Sequence, residues 1–208
     1  MEIECLVLGD FATNCFVVRA NEETKECLVI DPGFSPGPLL DFLKENELQP
    51  VKILLTHGHC DHIAGIEELQ NEYGAIPVWV SREDAKMLES AKLNLSWMTG
   101  RSIRLKADES LAEGDEVGLD GLELKVLATP GHTTGGVSFY CKQEGVLFSG
   151  DTLFAGSIGR DDFPGGDRSV LLASIRDKLL ELPEETKVYS GHGPITTVGE
   201  EKQTNPFF

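Results

Sequence analysis

Histidine and aspartate side chains crowd one short stretch of the sequence, THGHCDH at residues 56–62. It holds three of the five histidines, His57, His59 and His62, together with Asp61. Neutral imidazoles and carboxylates are ligands that zinc, iron and manganese accept. Alternate side chains of an extended segment point the same way, so His57 and His59 can bind one ion while Asp61 and His62 face a second. The spacing therefore predicts a metal site.

The other two histidines and a further aspartate each follow a predicted strand. His132 comes after VLATPG, Asp151 after VLFSG and His192 after VYSG. Side chains just beyond the carboxyl ends of neighbouring strands can gather at one sheet edge. Together with the THGHCDH stretch they supply enough ligands for two ions if Asp151 bridges them. Chance seldom concentrates ligands so tightly, which favours metal binding over ordinary core or surface histidines.

Apolar and alternating runs predict the elements that position these residues. Helices are expected over 38–45, IEELQNEY, SREDAKMLES with Ser81 as its cap, and RSVLLASIRDKLLEL with Asp167 as its cap. The tail from ITTVGEEK onward is expected to be less regular. The pattern predicts an α/β (α+β) fold of two mixed β-sheets flanked by helices. The predicted strands are IECLVL, NCFVVRA, ECLVID, VKILLT, LELKVLAT, VSFYCK, GVLFSG and KVYSG, with SIRLK and EVGL as weaker candidates.

Composition narrows the class of partner. The 208 residues suit one domain spanning 1–208. The formal net charge of -17 argues against a nucleic-acid partner, which normally meets a basic face, and against anionic membrane surfaces. A small-molecule substrate is expected instead.

The cysteines and the N-terminus indicate a cytoplasmic protein. MEIECLVLGD lacks the basic and apolar regions of a signal peptide, and no apolar stretch approaches the length of a membrane span. The cysteines are odd in number and form no CxxC pair, which fits reduced thiols. Cys60 lies between candidate ligands but is interpreted as a packed side chain. The five are Cys5, Cys15, Cys27, Cys60 and Cys141.

THGHCDH, with TPGHT, SGDTLF and SGHGP downstream, closely resembles the motifs of the metallo-β-lactamase-fold hydrolases. VLGDFATNCFVV and LVIDPG resemble that family's opening strands. GSIGRDDFPGGD and GHGPITTVGEEKQTNPFF resemble its short glyoxalase II-like (hydroxyacylglutathione hydrolase-like) branch. The resemblance implies a four-layer αββα sandwich with two metal ions. It implies one ion on His57, His59 and His132, the other on Asp61, His62 and His192, and Asp151 as the bridge.

The resemblance also implies a chemistry. Two divalent ions, zinc in the first instance with iron or manganese as alternatives, hold a bridging hydroxide at the Asp151 site and polarise a carbonyl. In glyoxalase II this hydroxide cleaves the thioester of S-D-lactoylglutathione to D-lactate and glutathione. Asp61 is a candidate for handling the proton as well as a ligand. Asp31, in LVIDPG, either orients a ligand histidine or forms a structural turn.

Substrate recognition departs from the longer glyoxalase II enzymes. Those enzymes bind glutathione through basic residues of a C-terminal helical domain, which residues 1–208 do not include. Where they carry a lysine and then a tyrosine after the bridging aspartate, this chain has Arg160 and Asp162. Arg160 could grip a glycyl carboxylate of the substrate or form a structural ion pair with a nearby aspartate. Lys142 and Lys202 are weaker substrate-binding candidates.

Other functions stay open on the same residues. A mononuclear-iron persulfide dioxygenase would use His57, His132 and Asp151, although the histidine of SGHGP favours a second ion. A lactonase or another ester hydrolase would share the metal set. A nuclease is disfavoured by the acidity of the chain. A non-catalytic metal-binding module is less expected because every candidate ligand is present.

Overall fold

Two six-stranded mixed β-sheets form the centre of the structure, a computed structural model that describes residues 1–208. In the first sheet the strands follow one another in chain order. The first two pairings are antiparallel and the remaining three are parallel. Its strands are β1 (Glu2–Leu8), β2 (Thr13–Arg19), β3 (Glu26–Ile30), β4 (Gln49–Leu54), β5 (Val78–Ser81) and β6 (Glu109–Leu111).

The second sheet is built from the C-terminal half of the chain in the order β7-β8-β9-β10-β13-β14. Its one parallel pairing joins β10 to β13, and a short hairpin of β11 and β12 lies between these strands in sequence. The strands are β7 (Glu116–Leu119), β8 (Leu122–Ala128), β9 (Val137–Cys141), β10 (Val146–Gly150), β11 (Leu153–Phe154), β12 (Ser157–Ile158), β13 (Lys187–Ser190) and β14 (Thr196–Thr197).

Helices cover the outer faces of both sheets. Short turns also occur at Ser96–Thr99, which is 3₁₀-helical, and at Ile175–Leu179, which is π-helical. None of the helices is long and apolar enough to cross a membrane. The α-helices are α1 (Gly37–Glu45), α2 (Cys60–Ile63), α3 (Ile66–Tyr73), α4 (Ala85–Leu88), α5 (Arg168–Ser174) and α6 (Val198–Thr204).

The alternation of strand side chains explains the layers. Successive residues of a strand point to opposite faces, so Phe16 and Val18 of β2 pack between the sheets whereas Val17 packs beneath the helices of the first sheet. On the outer face of the second sheet, Leu147 and Val188 pack against α5 and its continuation. Three apolar layers separate helix, sheet, sheet and helix. The αββα sandwich predicted from the sequence is confirmed.

Several element predictions need correction. SIRLK is not a strand: the amide of Leu105 donates to the carbonyl oxygen of Leu88, and Ile103 bonds to the Ser96 hydroxyl, so no neighbouring strand pairs with this segment. Ser81 ends β5 and does not cap a helix; α4 begins later and is short. The tail, expected to be irregular, forms β14 and α6.

Other predictions are confirmed. Asp167 caps α5, accepting hydrogen bonds from the amides of Ser169 and Val170. The helical run beyond it changes to a π turn but keeps its buried face. All five cysteines are free thiols, and only Cys5 is exposed.

Candidate metal centre

Four connections bring the candidate ligands to one edge of the sandwich. His57 and His59 lie in the extended turn that follows β4, and Asp61 and His62 lie in the short helix α2 that comes next. His132 lies in the loop from β8 to β9. Asp151 and His192 follow β10 and β13, whose parallel pairing of Gly150 with Ser190 places their ends side by side. The prediction that these residues converge is confirmed by the fold.

The gathered side chains form three overlapping groups whose ligand atoms lie within 4.8 Å of one another. We call His57, His59 and His132 the first ligand group, and Asp61, His62 and His192 the second ligand group. The remaining group joins Asp151 to one histidine of each, His57 and His62. The carboxylate oxygens of Asp151 lie 3.4 Å from Nε2 of His62 and 3.6 Å from Nε2 of His132. Asp151 therefore stands between the two ligand groups.

Hydrogen bonds on Nδ1 orient four of the five imidazoles. Nδ1 of His132 donates to the carbonyl oxygen of Arg160 at 2.8 Å, and Nδ1 of His192 faces the carbonyl oxygen of Ala12 at 3.3 Å. His57 and His62 likewise bond through Nδ1 to Thr56 and Asp31. A proton held on Nδ1 leaves the Nε2 lone pair free to bind a metal.

Asp31 connects the two ligand groups from behind. Its carboxylate accepts hydrogen bonds from the Thr56 amide at 2.8 Å, the Thr56 hydroxyl at 2.6 Å and Nδ1 of His62 at 3.0 Å. Because the Thr56 hydroxyl donates its hydrogen to Asp31, its oxygen can accept a hydrogen bond from Nδ1 of His57 at 3.1 Å. Asp31 is also strained, with φ +52 in the Asp-Pro-Gly turn. Both readings of Asp31 from the sequence describe part of its role.

The pKa values of four of the histidines shift in opposite directions in the two ligand groups. Burial lowers the pKa of His57 well below its ordinary value and lowers that of His59 to about 3. Burial also opposes charge on His62, but the surrounding carboxylates outweigh it and raise its pKa. Despite burial, hydrogen bonds to Asp151 and Asp61 raise the pKa of His192 to about 10. His57 and His59 thus offer neutral nitrogens, whereas the carboxylates attract positive charge to His62 and His192.

The donor set fits metal ions. Buried nitrogens and oxygens normally have hydrogen-bond partners, yet Nε2 of His57, Nε2 of His62 and Oδ1 of Asp151 have none. A side chain at Gly191 would collide with Oδ1 of Asp151 and with His62, so the glycine keeps that space open. Nδ1 of His59 and Nε2 of His132 face each other at 2.9 Å, where one ion can bind both. Nitrogen and carboxylate ligands of this kind suit divalent zinc, iron or manganese.

Asp84 is a supporting residue that sequence reasoning missed. Its buried carboxylate accepts hydrogen bonds from the amides of Gly58 and Gly135 and from the hydroxyl of Thr133. It therefore ties the loop of His57 and His59 to the loop of His132. Asp84 follows β5, just as the candidate ligands follow their own strands. It was missed because it lies in SREDAKMLES, for which the sequence pattern predicts a helix.

A cavity of about 740 Å³ opens directly beside the ligand groups. His59, Asp61, His132, Asp151 and His192 form its floor. The apolar part of the cavity wall was not predicted, because its residues lie in loops, in the two-residue strand β11 and in the middle segment that gave weak patterns. The apolar side chains of the wall are Phe11, Leu95, Met98, Phe154 and Phe163.

The three basic substrate-binding candidates differ in position. Arg160 lines the cavity, but its guanidinium pairs with both oxygens of Asp162 at 2.9 and 2.8 Å. Lys142 follows β9, whose other end faces the site, so it lies on the order of 15 Å away at about 3.3 Å per residue. Lys202 is exposed on α6. The structure brings neither lysine into the cavity wall.

Cys60 lies in the cavity wall but outside the three groups of candidate ligands. Burial raises the pKa of its thiol to about 11. Its position outside the candidate ligand groups agrees with the interpretation of Cys60 as a packed side chain.

Comparison with known proteins agrees with this geometry. The model of the metallo-beta-lactamase superfamily matches residues 8–192. The chain is 41% identical to the probable metallo-hydrolase YqgX of Bacillus subtilis, over 96% of this chain and 94% of that protein. It is 38% identical to the hydroxyacylglutathione hydrolase GloC of Haemophilus influenzae, over 100% of this chain and 98% of that protein.

Solved structures give the same result. The BLEG-1 B3 metallo-beta-lactamase superimposes with a TM-score of 0.92 at 42% identity, covering 99% of each chain. TTHA1623 in a di-iron-bound form gives 0.86 at 39%, covering 99% of this chain and 100% of that one. ETHE1 from Myxococcus xanthus gives 0.80 at 30%, covering 99% and 84%. The chain therefore belongs to the metallo-β-lactamase superfamily of metal-dependent hydrolases.

Proposed function

We propose that the protein hydrolyses a thioester bond in a small molecule, with S-D-lactoylglutathione as the reference substrate. The observation that carries the proposal is the position of the two ligand groups on the floor of a cavity of about 740 Å³. That volume lies within the range of small-molecule sites, roughly 300–1,000 Å³. The similarity to GloC over the whole chain supports a hydroxyacyl thioester.

The floor of the cavity favours an enzyme over a metal-storage module. Structural metal sites are closed, whereas catalytic sites leave a position open to substrate. Here the side chains of Asp61 and His192 are 16% and 28% exposed, and both line the cavity. Substrate can therefore reach the second ligand group without any rearrangement of the fold.

The chain would hold two divalent ions, one on each ligand group, with Asp151 between them. When bound, such ions polarise the acyl carbonyl and lower the pKa of water so that it can attack near neutral pH. TTHA1623 in its di-iron form supports a two-metal arrangement. Zinc, iron and manganese are all compatible with these ligands.

Asp61 is the residue we propose to move the proton. Water adds to the acyl carbon, the carbon–sulfur bond breaks, and the thiol leaves with one proton of that water. Oδ2 of Asp61 lies 3.3 Å from Nε2 of His192 and 3.5 Å from the Thr13 hydroxyl, at the surface of the cavity. A carboxylate in that position can accept the proton and deliver it to the sulfur.

The test follows thioester loss with S-D-lactoylglutathione before and after treatment with EDTA. We expect turnover that EDTA abolishes and that zinc, iron or manganese restores. Turnover that survives complete removal of metal would contradict the metal role. No thioester turnover, together with oxygen consumption in the presence of glutathione persulfide, would transfer the proposal to the dioxygenase.

A further inference from the structure

Helix α6 carries a buried carboxylate that belongs to neither ligand group. Glu201 is 1% exposed, and its two oxygens accept three hydrogen bonds. Oε1 accepts from the hydroxyl of Thr196 at 2.6 Å, and Oε2 accepts from the amide of Gly156 at 2.9 Å. Nδ2 of Asn205 also donates to Oε2 at 2.7 Å and reaches the carbonyl oxygen of Ser157 at 3.1 Å. Because a buried carboxylate needs such donors, these bonds fix its position.

The donors belong to two segments that lead to the metal centre. Gly156 lies in the turn of the β11–β12 hairpin, and Thr196 begins β14, a short distance after His192 in the chain. Phe154, on the same hairpin, lines the cavity, and its ring centroid lies 6.2 Å from that of His192. One oxygen of Glu201 therefore holds the hairpin, and the other holds the segment that follows His192.

The base of the hairpin lies directly against two candidate ligands. The amide of Gly159 donates to the carbonyl oxygen of Thr152 at 3.2 Å and closes the hairpin. A Cβ at Gly159 would collide with the carbonyl oxygen of Asp151 and would lie 3.4 Å from Cβ of His132. The carbonyl oxygen of the next residue, Arg160, accepts from Nδ1 of His132 at 2.8 Å. A shift of the hairpin would therefore move Asp151 and reorient His132.

We propose that Glu201 is a positioning residue for the metal centre. By joining the hairpin to the segment after His192, its carboxylate keeps Asp151, His132 and His192 in the arrangement that binds two ions. The tail of the chain thus completes the centre without contributing a ligand. This role goes beyond the proposed thioester hydrolysis, because it concerns the geometry of the ligands whichever bond is cleaved.

The experiment compares Glu201→Ala with Glu201→Gln in the full chain loaded with Co²⁺, whose visible absorption depends on the geometry of its ligands. We expect Glu201→Ala to change the Co²⁺ bands, to bind Co²⁺ about three- to tenfold more weakly and to lower kcat for S-D-lactoylglutathione about tenfold, with a smaller change in KM. Glu201→Gln should stay close to the wild type. Its carbonyl oxygen can accept from Gly156 and Asn205, while the Thr196 hydroxyl turns to accept from the amide nitrogen.

Val198→Ala is the matched control for a loss of stability in α6. It removes apolar atoms from the layer against the second sheet and should lower the temperature of unfolding. It should leave the Co²⁺ bands and kcat unchanged at temperatures where the protein is folded. Wild-type Co²⁺ bands, Co²⁺ affinity and kcat in Glu201→Ala would overturn the proposal. Equal changes in Val198→Ala would do the same, because they would show a purely structural role.

Thr196→Val provides a milder test if Glu201→Ala does not fold. Valine keeps the shape of threonine but removes the hydroxyl that donates to Oε1 of Glu201. We expect altered Co²⁺ bands and about a two- to threefold lower kcat, and unchanged values would overturn the proposal. If the wild type fails to hydrolyse the thioester, the proposed hydrolysis is wrong, and the Co²⁺ bands and Co²⁺ affinity of the same variants decide the role of Glu201.

Discussion

The two ligand groups share one floor but differ in burial and charge. In the first, His57, His59 and His132 are 2%, 4% and 5% exposed, and all three donors are imidazoles. In the second, His62 is fully buried, whereas Asp61 and His192 reach the cavity. The first ligand group is therefore the more enclosed of the two metal positions. The second ligand group, with its carboxylate and its exposed edge, is the more open of the two to substrate and water.

The largest effect is expected at the residue between the two groups. Asp151→Ala should reduce metal content below one ion per chain and lower thioester hydrolysis by more than about a thousandfold, because both positions lose a ligand. Elemental analysis and the thioester assay measure this directly. Asp177→Ala, which removes an exposed carboxylate from the π turn, is the matched control and should retain both properties.

Substitutions within a single group should separate the two positions. Asp61→Ala should empty the second position, and His59→Ala the first, so that each variant retains about one ion and loses on the order of a hundredfold or more in activity. Metal content is the decisive readout. If Asp61→Ala and Asp151→Ala both retained their full metal content, the division into groups bridged by Asp151 would be wrong.

The Asp31→Asn variant tests whether the hydrogen bond from His62 to Asp31 strengthens metal binding at the second ligand group. Asp31→Asn keeps the shape of the side chain but removes the negative charge that holds the Nδ1 proton of His62. We expect the second metal equivalent to bind about ten- to a hundredfold more weakly. Competition with a chelator of known affinity resolves the two equivalents. A larger loss at the first equivalent would place the influence of Asp31 on His57, through Thr56.

The smallest effect on metal affinity is expected at Asp84, which supports the first ligand group. Because it bonds to Gly58, Thr133 and Gly135, Asp84→Asn should loosen the alignment of the two loops that carry the first ligand group. We expect about a tenfold weaker first equivalent with the second largely unaffected. Equal weakening of both equivalents in the same chelator titration would show that Asp84 only stabilises the fold.

The candidate ligands could be predicted because their chemistry is local. The THGHCDH stretch carries its own spacing, and His132, Asp151 and His192 each follow a strand whose apolar run is easily read. The cavity could not be predicted in this way. Phe11 and Phe163 come from separate loops and Met98 from the 3₁₀ turn, and only the packing of the two sheets determines that they meet.

The element errors have a similar origin. Ile103 and Leu105 alternate as in a strand and do pack against the apolar layer between the first sheet and its helices. Their amides, however, donate to the Ser96 hydroxyl of the 3₁₀ turn and to the Leu88 carbonyl oxygen of α4. Periodicity reports which side chains are buried and not which backbone pairs with which. At α6 a local signal did exist: Thr197 and Glu200 form the T-x-x-E pattern of a helix start, and the Thr197 hydroxyl accepts from the amide of Glu200.

The most direct test is metal content per chain, measured on the same sample that is assayed with S-D-lactoylglutathione. The two-group centre predicts about two divalent ions per chain and EDTA-sensitive loss of the thioester. About one iron per chain without thioester turnover would contradict it and indicate a mononuclear centre on His57, His132 and Asp151.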